Sequence, residues 1–257
     1  MTTRASTHGT HKPPVHPPWR RAGIAIVWLL PIASMAAPLA CSMTSGAQRT
    51  PVIELYTSEG CSSCPPADKW LSTLKGKAVV AQAFHVAYWD YIGWKDRFAS
   101  PEFTQRQRDQ AATQGLNSIY TPQLVRDGLD WRNWRQGSAA QAEGPAGATI
   151  TLRRSADNIS FEAQVQPLDP NRRWSAYWTV TEHGHSSQVK AGENAGETLQ
   201  HDFVVRQYVP VGRYTGKQTL QFTAIPQQAD HPRQVNLVLS DVQTNAPLQA
   251  VSLQCPM

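Results

Sequence analysis

With 257 residues, 40% of them hydrophobic and 17% charged, the chain is long enough for two ordinary domains and too apolar to stay disordered. Most of its formal charge of +5 lies in the first 41 residues, where Arg4, Lys12, Arg20 and Arg21 meet no acid; of the 24 basic residues, 20 remain to face 19 acids. That near balance argues against the basic surface of a nucleic-acid-binding protein.

Residues 1–41 read as a leader. A basic region ends at Arg20-Arg21 and is followed by the apolar run Ala22 to Ala40, which Pro31 interrupts and which grows rich in small residues toward its end. This is the layout of an export signal; a membrane span needs about 20 unbroken apolar residues. Arg20-Arg21 also has the form of a twin-arginine signal. Pro38-Leu39-Ala40-Cys41 resembles a lipoprotein cleavage box with its Leu one place late. Contact with a membrane is therefore expected only through the leader or a lipid on Cys41. The folded part is expected outside the cytoplasm, in the periplasm or cell envelope, where disulfides persist. If Cys41 survives unmodified, Cys255 is an available partner.

Ser42 to Thr50 is a tether, and Val52 to Tyr56 an apolar strand that turns through Thr57-Ser58-Glu59-Gly60. Pro65 and Pro66 fall where the first turn of a helix tolerates missing amides, and Ala67 to Lys75 continues that helix to Gly76. Ala78 to Val86 is a nearly continuous apolar run, as in a strand buried on both faces. Ser100-Pro101-Glu102 opens a helix that runs to about Gln114 and ends at Gly115. Thr121 to Val125 is a strand entered through a proline and turned at Asp127-Gly128. Leu129 to Gln136 has room for two helical turns, and 138–147 is an Ala/Gly-rich linker.

Strand, helix, strand, helix and a proline-led hairpin is the thioredoxin order, so residues 51–137 are expected to form an α/β thioredoxin-like domain. Beyond 148 the texture changes to alternation, as in Ile159, Phe161, Ala163 and Val165, then Trp174, Ala176, Trp178 and Val180. With further short strands near 199–207, 218–225, 234–241 and 249–254, residues 148–257 are expected to be an antiparallel β-sandwich of about seven strands.

Chemistry centres on Cys61-Ser62-Ser63-Cys64. A cysteine at a helix start faces peptide dipoles that favour thiolate, so Cys61 is the expected exposed attacker and Cys64 the buried resolver. A zinc knuckle normally needs a second such pair, and the chain has none. Pro122, about 60 residues on, occupies the place where thioredoxin-like folds present a cis proline to the dithiol, with Thr121 beside it to meet substrate. Glu54, in the strand that leads to the cysteines, is the candidate acid to take the proton of Cys64. Trp89, Tyr91 and Trp94, with Tyr88, belong to a loop on the same side, able to line a substrate groove or to pack beneath it. His85 is read as a core histidine ahead of a metal ligand. His183-Gly184-His185 is read as a solvated turn, and His201 as a buried, hydrogen-bonded ring. No metal and no cofactor is expected.

Several long segments resemble one family: Val52 through Asp68, His85 through Asp96 and on to Phe103, Tyr120-Thr121-Pro122-Gln123, Gly192-Glu193-Asn194-Ala195-Gly196, and His201 through Arg206. The family is an exported bacterial one catalogued as domain of unknown function 1223. The resemblance implies a thioredoxin-like fold and an exported location, and it implies no reaction. Where that family carries Asp, this chain has Ala87, so any role of that acid is missing. The leading expectation is an exported thiol–disulfide oxidoreductase or redox-active relative acting on protein thiols or disulfides. The alternatives are an envelope binding protein with a structural disulfide, and a copper-delivery module using both thiolates and His85.

Overall fold

In the computed structural model, which describes residues 41–256 and scattered positions among the first fifteen, the short strand β1 (Ser42–Thr44) leads to β2 (Val52–Thr57), buried at every position. All described strands and helices belong to the second of two units, Pro38–Met257. The export signal expected over 1–41 falls outside the described residues, apart from Cys41 and those scattered positions. Among the described residues no helix is long and apolar enough to cross a membrane.

Helix α1 (Pro65–Ser72) starts on the Pro-Pro pair, and β3 (Val80–His85) returns parallel to β2 with Thr57 opposite His85. A 3-10 segment, Ala87–Ile92, ends at Gly93, whose φ of 93° suits glycine. Helix α2 (Pro101–Thr113) is capped by Ser100, whose side chain accepts from the Glu102 amide at 3.2 Å. The strand β4 (Gln123–Arg126) pairs antiparallel with β2, and Asp127-Gly128, both at positive φ, turns the chain into β5 (Leu129–Asp130).

The period-2 alternation of β2 and β3 decides what each face meets. Ile53 and Leu55 pack with Ala67 and Leu71 of α1, while Tyr56 and Phe84 pack with Phe103 of α2. Thr57 and His85 therefore lie on the α1 side, and Glu54 on the α2 side.

Nine strands follow: β6 (Ala148–Arg154), β7 (Ser160–Pro167), β8 (Arg173–Glu182), β9 (His185–Gln188), β10 (Thr198–His201), β11 (Val204–Thr215), β12 (Gln218–Thr223), β13 (Arg233–Asp241) and β14 (Pro247–Leu253). One sheet of eight strands runs β14-β13-β8-β11-β3-β2-β4-β5, a second of four runs β1-β6-β7-β12, and β9 and β10 form a separate hairpin. Between the two larger sheets lies an apolar core that includes Trp174, Trp178, Phe161, Phe222 and Leu237, with Trp178 stacked on Phe222 at 4.9 Å. Each such buried side chain contributes about 1.5–3 kcal/mol.

The expected fold class is corrected here. The structure is mostly β, 41% strand against 12% helix, rather than an α/β thioredoxin-like domain followed by a separate sandwich. The physical reason is the free edge of β3. An unpaired strand edge is a row of unsatisfied amides and carbonyls. Here β11 covers it in parallel, with the Ala83 amide donating to the Phe203 carbonyl at 2.8 Å, so strands from both halves of the chain share one sheet. Among the described residues, α1 and α2 are the only α-helices beside β2–β5, and 129–136 makes a two-residue strand and turns instead of a last helix.

Candidate functional site

The Cys61–Cys64 pair is joined as a disulfide at the start of α1. Two successive turns shape it, with the Cys61 amide donating to the Ser58 carbonyl and the Cys64 amide to the Cys61 carbonyl. The helix end offers fewer free donors than its position implies. Pro65 and Pro66 have no amide hydrogen, and the Ala67 and Asp68 amides already donate to the Cys64 carbonyl at 2.8 and 3.2 Å. The nearest polar partner of Cys61 Sγ is Ser63 Oγ at 3.3 Å.

Cys61 is not the exposed attacker that its position suggests: both cysteines are 0% exposed. Their cover is the tip of the β9–β10 hairpin. Asn194 Nδ2 donates to the carbonyls of Glu59 at 2.8 Å and Cys61 at 3.0 Å, and the Ser62 amide donates to Glu193 Oε2 at 2.9 Å. Ile92, at the end of the 3-10 segment, is wedged between this tip and the cysteine loop. A Cβ at Gly192 would stand 2.9 Å from Ile92 Cδ1, and one at Gly60 3.1 Å from the same atom. Gly192 also stands at a φ of 77°, which suits glycine.

The aromatic loop holds this arrangement. The Trp89 indole donates to Thr121 Oγ1 at 2.7 Å, and its Cβ lies against Gly60, so it ties the cysteine loop to the segment carrying Pro122. Trp94 donates to Glu59 Oε2 at 2.8 Å. Of the aromatic residues proposed to meet substrate, Trp89 and Trp94 are half-buried and committed to these bonds, whereas Tyr91 is 81% exposed. The Thr121–Pro122 peptide bond is cis. Beside Pro122 opens a cavity of about 220 Å³ lined by Tyr120, Leu124, Trp131, Arg132 and Trp134. Trp70 of α1 meets Trp131 and Trp134 edge-on.

On the α1 side of β2 and β3 lies a buried polar cluster that the sequence reading did not assemble. It comprises Glu59, Asp68, His85, Asp96 and His201. Asp68 sits one helical turn beyond Cys64, and its Oδ2 accepts from Thr57 Oγ1 at 2.9 Å. His85 Nδ1 lies 2.7 Å from Asp96 Oδ2, which also accepts from the Glu59 amide at 2.9 Å. Burial alone pushes the Asp96 carboxyl up, but the charge and hydrogen bond of His85 hold it at about 2. Burial alone pulls His201 down; the neighbouring carboxylates of Asp68 and Glu59 overcome this and raise it to about 9. The rings of His85 and His201 meet edge-on at 5.0 Å.

Glu54 belongs elsewhere. Its carboxylate takes Arg106 Nη2 at 2.6 Å, Tyr56 at 2.7 Å and Tyr177 at 2.9 Å, at the wall of a separate cavity of about 400 Å³. Arg106 stacks on Tyr177, 4.2 Å from the ring centre. Strand alternation puts Glu54 on the α2 face, away from the α1 face that carries Asp68. His183 and His185 are also buried rather than solvated. His185 Nε2 lies 2.9 Å from Glu182 Oε2, and the Phe203 amide donates to His183 Nδ1. In the disulfide, neither sulfur is a thiolate beside His85. The second disulfide joins Cys41 to Cys255.

Asp68 carried one local signal, its helical spacing from Cys64. Asn194 and His201 lay in segments that resemble the family, and His201 was read as buried, but only long-range packing brings them to the cysteines.

Three comparisons bear on this architecture. The crystal structure of an Agrobacterium tumefaciens structural-genomics target is similar at 26% identity and a TM-score of 0.61, covering 81% of this chain and 96% of that one. HBP35 of Porphyromonas gingivalis shares the fold at 13% identity and a TM-score of 0.53, covering 81% and 76% of the two chains. No functionally curated protein matches. A family model described as protein of unknown function (DUF1223) matches residues 52–240.

Proposed function

Because the chain belongs to the DUF1223 family, whose description assigns no reaction, we propose from the site itself that it is an exported protein exchanging its Cys61–Cys64 disulfide with protein thiols from beneath a releasable cap. The observation that carries this reading is the nature of the cover. A Cys-x-x-Cys disulfide at a helix start is closed off by a hairpin tip tied down through the side chains of Asn194 and Glu193, not by either apolar core.

With the tip lifted, a substrate thiolate attacks Sγ of Cys61. The Cys61–Cys64 bond breaks, Cys64 leaves with the electron pair, and a mixed disulfide forms. A second substrate thiol attacks the mixed disulfide, so the substrate ends oxidised and the protein as a dithiol. The reverse sequence reduces a substrate disulfide, and the reduction potential selects between them. Thr121 and Pro122, tied to the cysteine loop by Trp89, orient the substrate backbone, and the adjoining aromatic cavity takes its side chains. The paired Cys41 and Cys255, together with the leader, support an oxidising compartment.

Full burial of both sulfurs favours a second reading, a binding protein whose disulfide is structural. Trapping separates the two. In the full chain with Cys64→Ala, exchange predicts reducible covalent adducts through Cys61. Recovery of none, with Asn194→Ala added to free the cap, would support the structural disulfide.

A further inference from the structure

We propose that Asp68, His85 and His201 form a buried site for one divalent first-row transition-metal ion of the zinc type. The proposal stands apart from thiol exchange, because its ligands are two imidazoles and a carboxylate rather than sulfur.

Three elements converge to build it: Asp68 from α1, His85 from the end of β3 and His201 from the end of β10. One ligand atom from each lies within 4.8 Å of the others. Ligands bound to zinc at about 2.0–2.2 Å lie somewhat nearer one another, so closure asks for small side-chain rotations. What points to a ligand is the state of the nitrogens. His85 Nε2 and both ring nitrogens of His201 are buried without a hydrogen-bond partner, as is Glu59 Oε1. His201 Nε2 does approach Glu59 Oε1 at 3.2 Å, and its Nδ1 approaches Asp68 Oδ1 at 3.9 Å, but neither contact has the alignment or length of a hydrogen bond. Buried polar atoms left unsatisfied are uncommon and costly. Read from sequence as satisfied core histidines, these two rings are not satisfied.

The surroundings match those of bound metals. A ligating histidine usually gives its other nitrogen to a carboxylate, which fixes the ring and aims the free nitrogen at the ion. His85 does this through Nδ1 and Asp96, whose other oxygen accepts from the Phe98 amide at 2.9 Å. Thr57 likewise holds one oxygen of Asp68 and leaves the other toward His201. Charge points the same way. Three buried carboxyl groups, Glu59, Asp68 and Asp96, face two imidazoles, and a divalent cation offsets that excess. An imidazole and carboxylate set suits zinc, cobalt and their neighbours rather than calcium or magnesium.

The test uses the full, oxidised chain, stripped of metal and carrying His8→Ala, His11→Ala and His16→Ala to silence leader histidines. Titration with Zn²⁺ by calorimetry should give one saturable equivalent. Co²⁺ should give the visible spectrum of a four- or five-coordinate site without sulfur-to-metal charge transfer. His85→Gln and His201→Gln should each weaken binding by about 100-fold or more, and Asp96→Asn by about 10–100-fold. Cys61→Ser with Cys64→Ser should leave the stoichiometry unchanged. Absence of saturable binding in the parent chain, a sulfur-type cobalt spectrum, or equal affinity in the two histidine variants would overturn the proposal. The parent spectrum decides the matter even if a variant fails to fold. Failure of thiol exchange leaves these results untouched.

Discussion

Replacing Asn194 by Ala removes both hydrogen bonds that its Nδ2 makes to the carbonyls of Glu59 and Cys61. A typical intramolecular hydrogen bond contributes about 0.5–1.5 kcal/mol net, so the hairpin tip loses about 1–3 kcal/mol of hold on the cysteine loop. If the disulfide reacts only when the tip has opened, its reduction rate follows the open fraction. That energy corresponds to reduction about 5- to 150-fold faster, at about 1.4 kcal/mol for each factor of ten. The assay is time-resolved reduction by a small dithiol, quenched with an alkylating agent and read by mass. The Cys41–Cys255 disulfide in the same molecules is the internal reference, since it packs on the core between the two larger sheets and should keep its own rate. Equal Cys61–Cys64 rates in variant and parent, within twofold, would refute the gating argument, as would equal acceleration of both disulfides.

Arg106→Ala leaves the Glu54 carboxylate buried with only tyrosine donors and should cost about 3–5 kcal/mol in chemical denaturation, without altering the reduction rate of Cys61–Cys64. Cys255→Ser opens a bridge between residues 214 apart and should lower stability by about 2–4 kcal/mol, seen as a lower denaturation midpoint. Burial alone raises the Asp130 carboxyl, but the donors Tyr120, Arg132 and Gln123 outweigh this and depress it below the ordinary value. Its contribution to stability is present above about pH 3.9 and is lost as pH falls through its lower folded value. Asp130→Asn should therefore flatten the acid limb of a stability–pH curve below about pH 5, and an unchanged slope would contradict that assignment.

Local chemistry was legible in the sequence where a short segment decides its own conformation. Ser100-Pro101-Glu102 starts α2, Asp127-Gly128 turns β4 into β5, and Pro65-Pro66 opens α1 beside the cysteines. The alternation at 159–166 and 174–181 coincides with β7 and β8. The fold class was not legible, because no periodicity says which strand closes the free edge of β3. That partner, β11, comes 120 residues later and meets β3 at a single register pair, Val204 with Ala83. The side of the sheet that Glu54 takes was legible in the sequence. Its period-2 position sets it opposite Ile53, Leu55 and Thr57, hence on the face away from α1. The cover over the cysteines and the paired rings of His85 and His201 depend on β9 and β10 folding back over α1, which only tertiary packing specifies.

The central claim, that the covered Cys61–Cys64 pair is an exchangeable couple, is tested most directly by its reduction potential, taken by equilibrating the full chain across thiol–disulfide buffers and counting alkylated cysteines by mass. An exchanging pair should poise between about −300 and −120 mV, the span of dithiol proteins that trade electrons with substrates. A value below about −300 mV would mark the bond as a fixed structural staple and contradict the account.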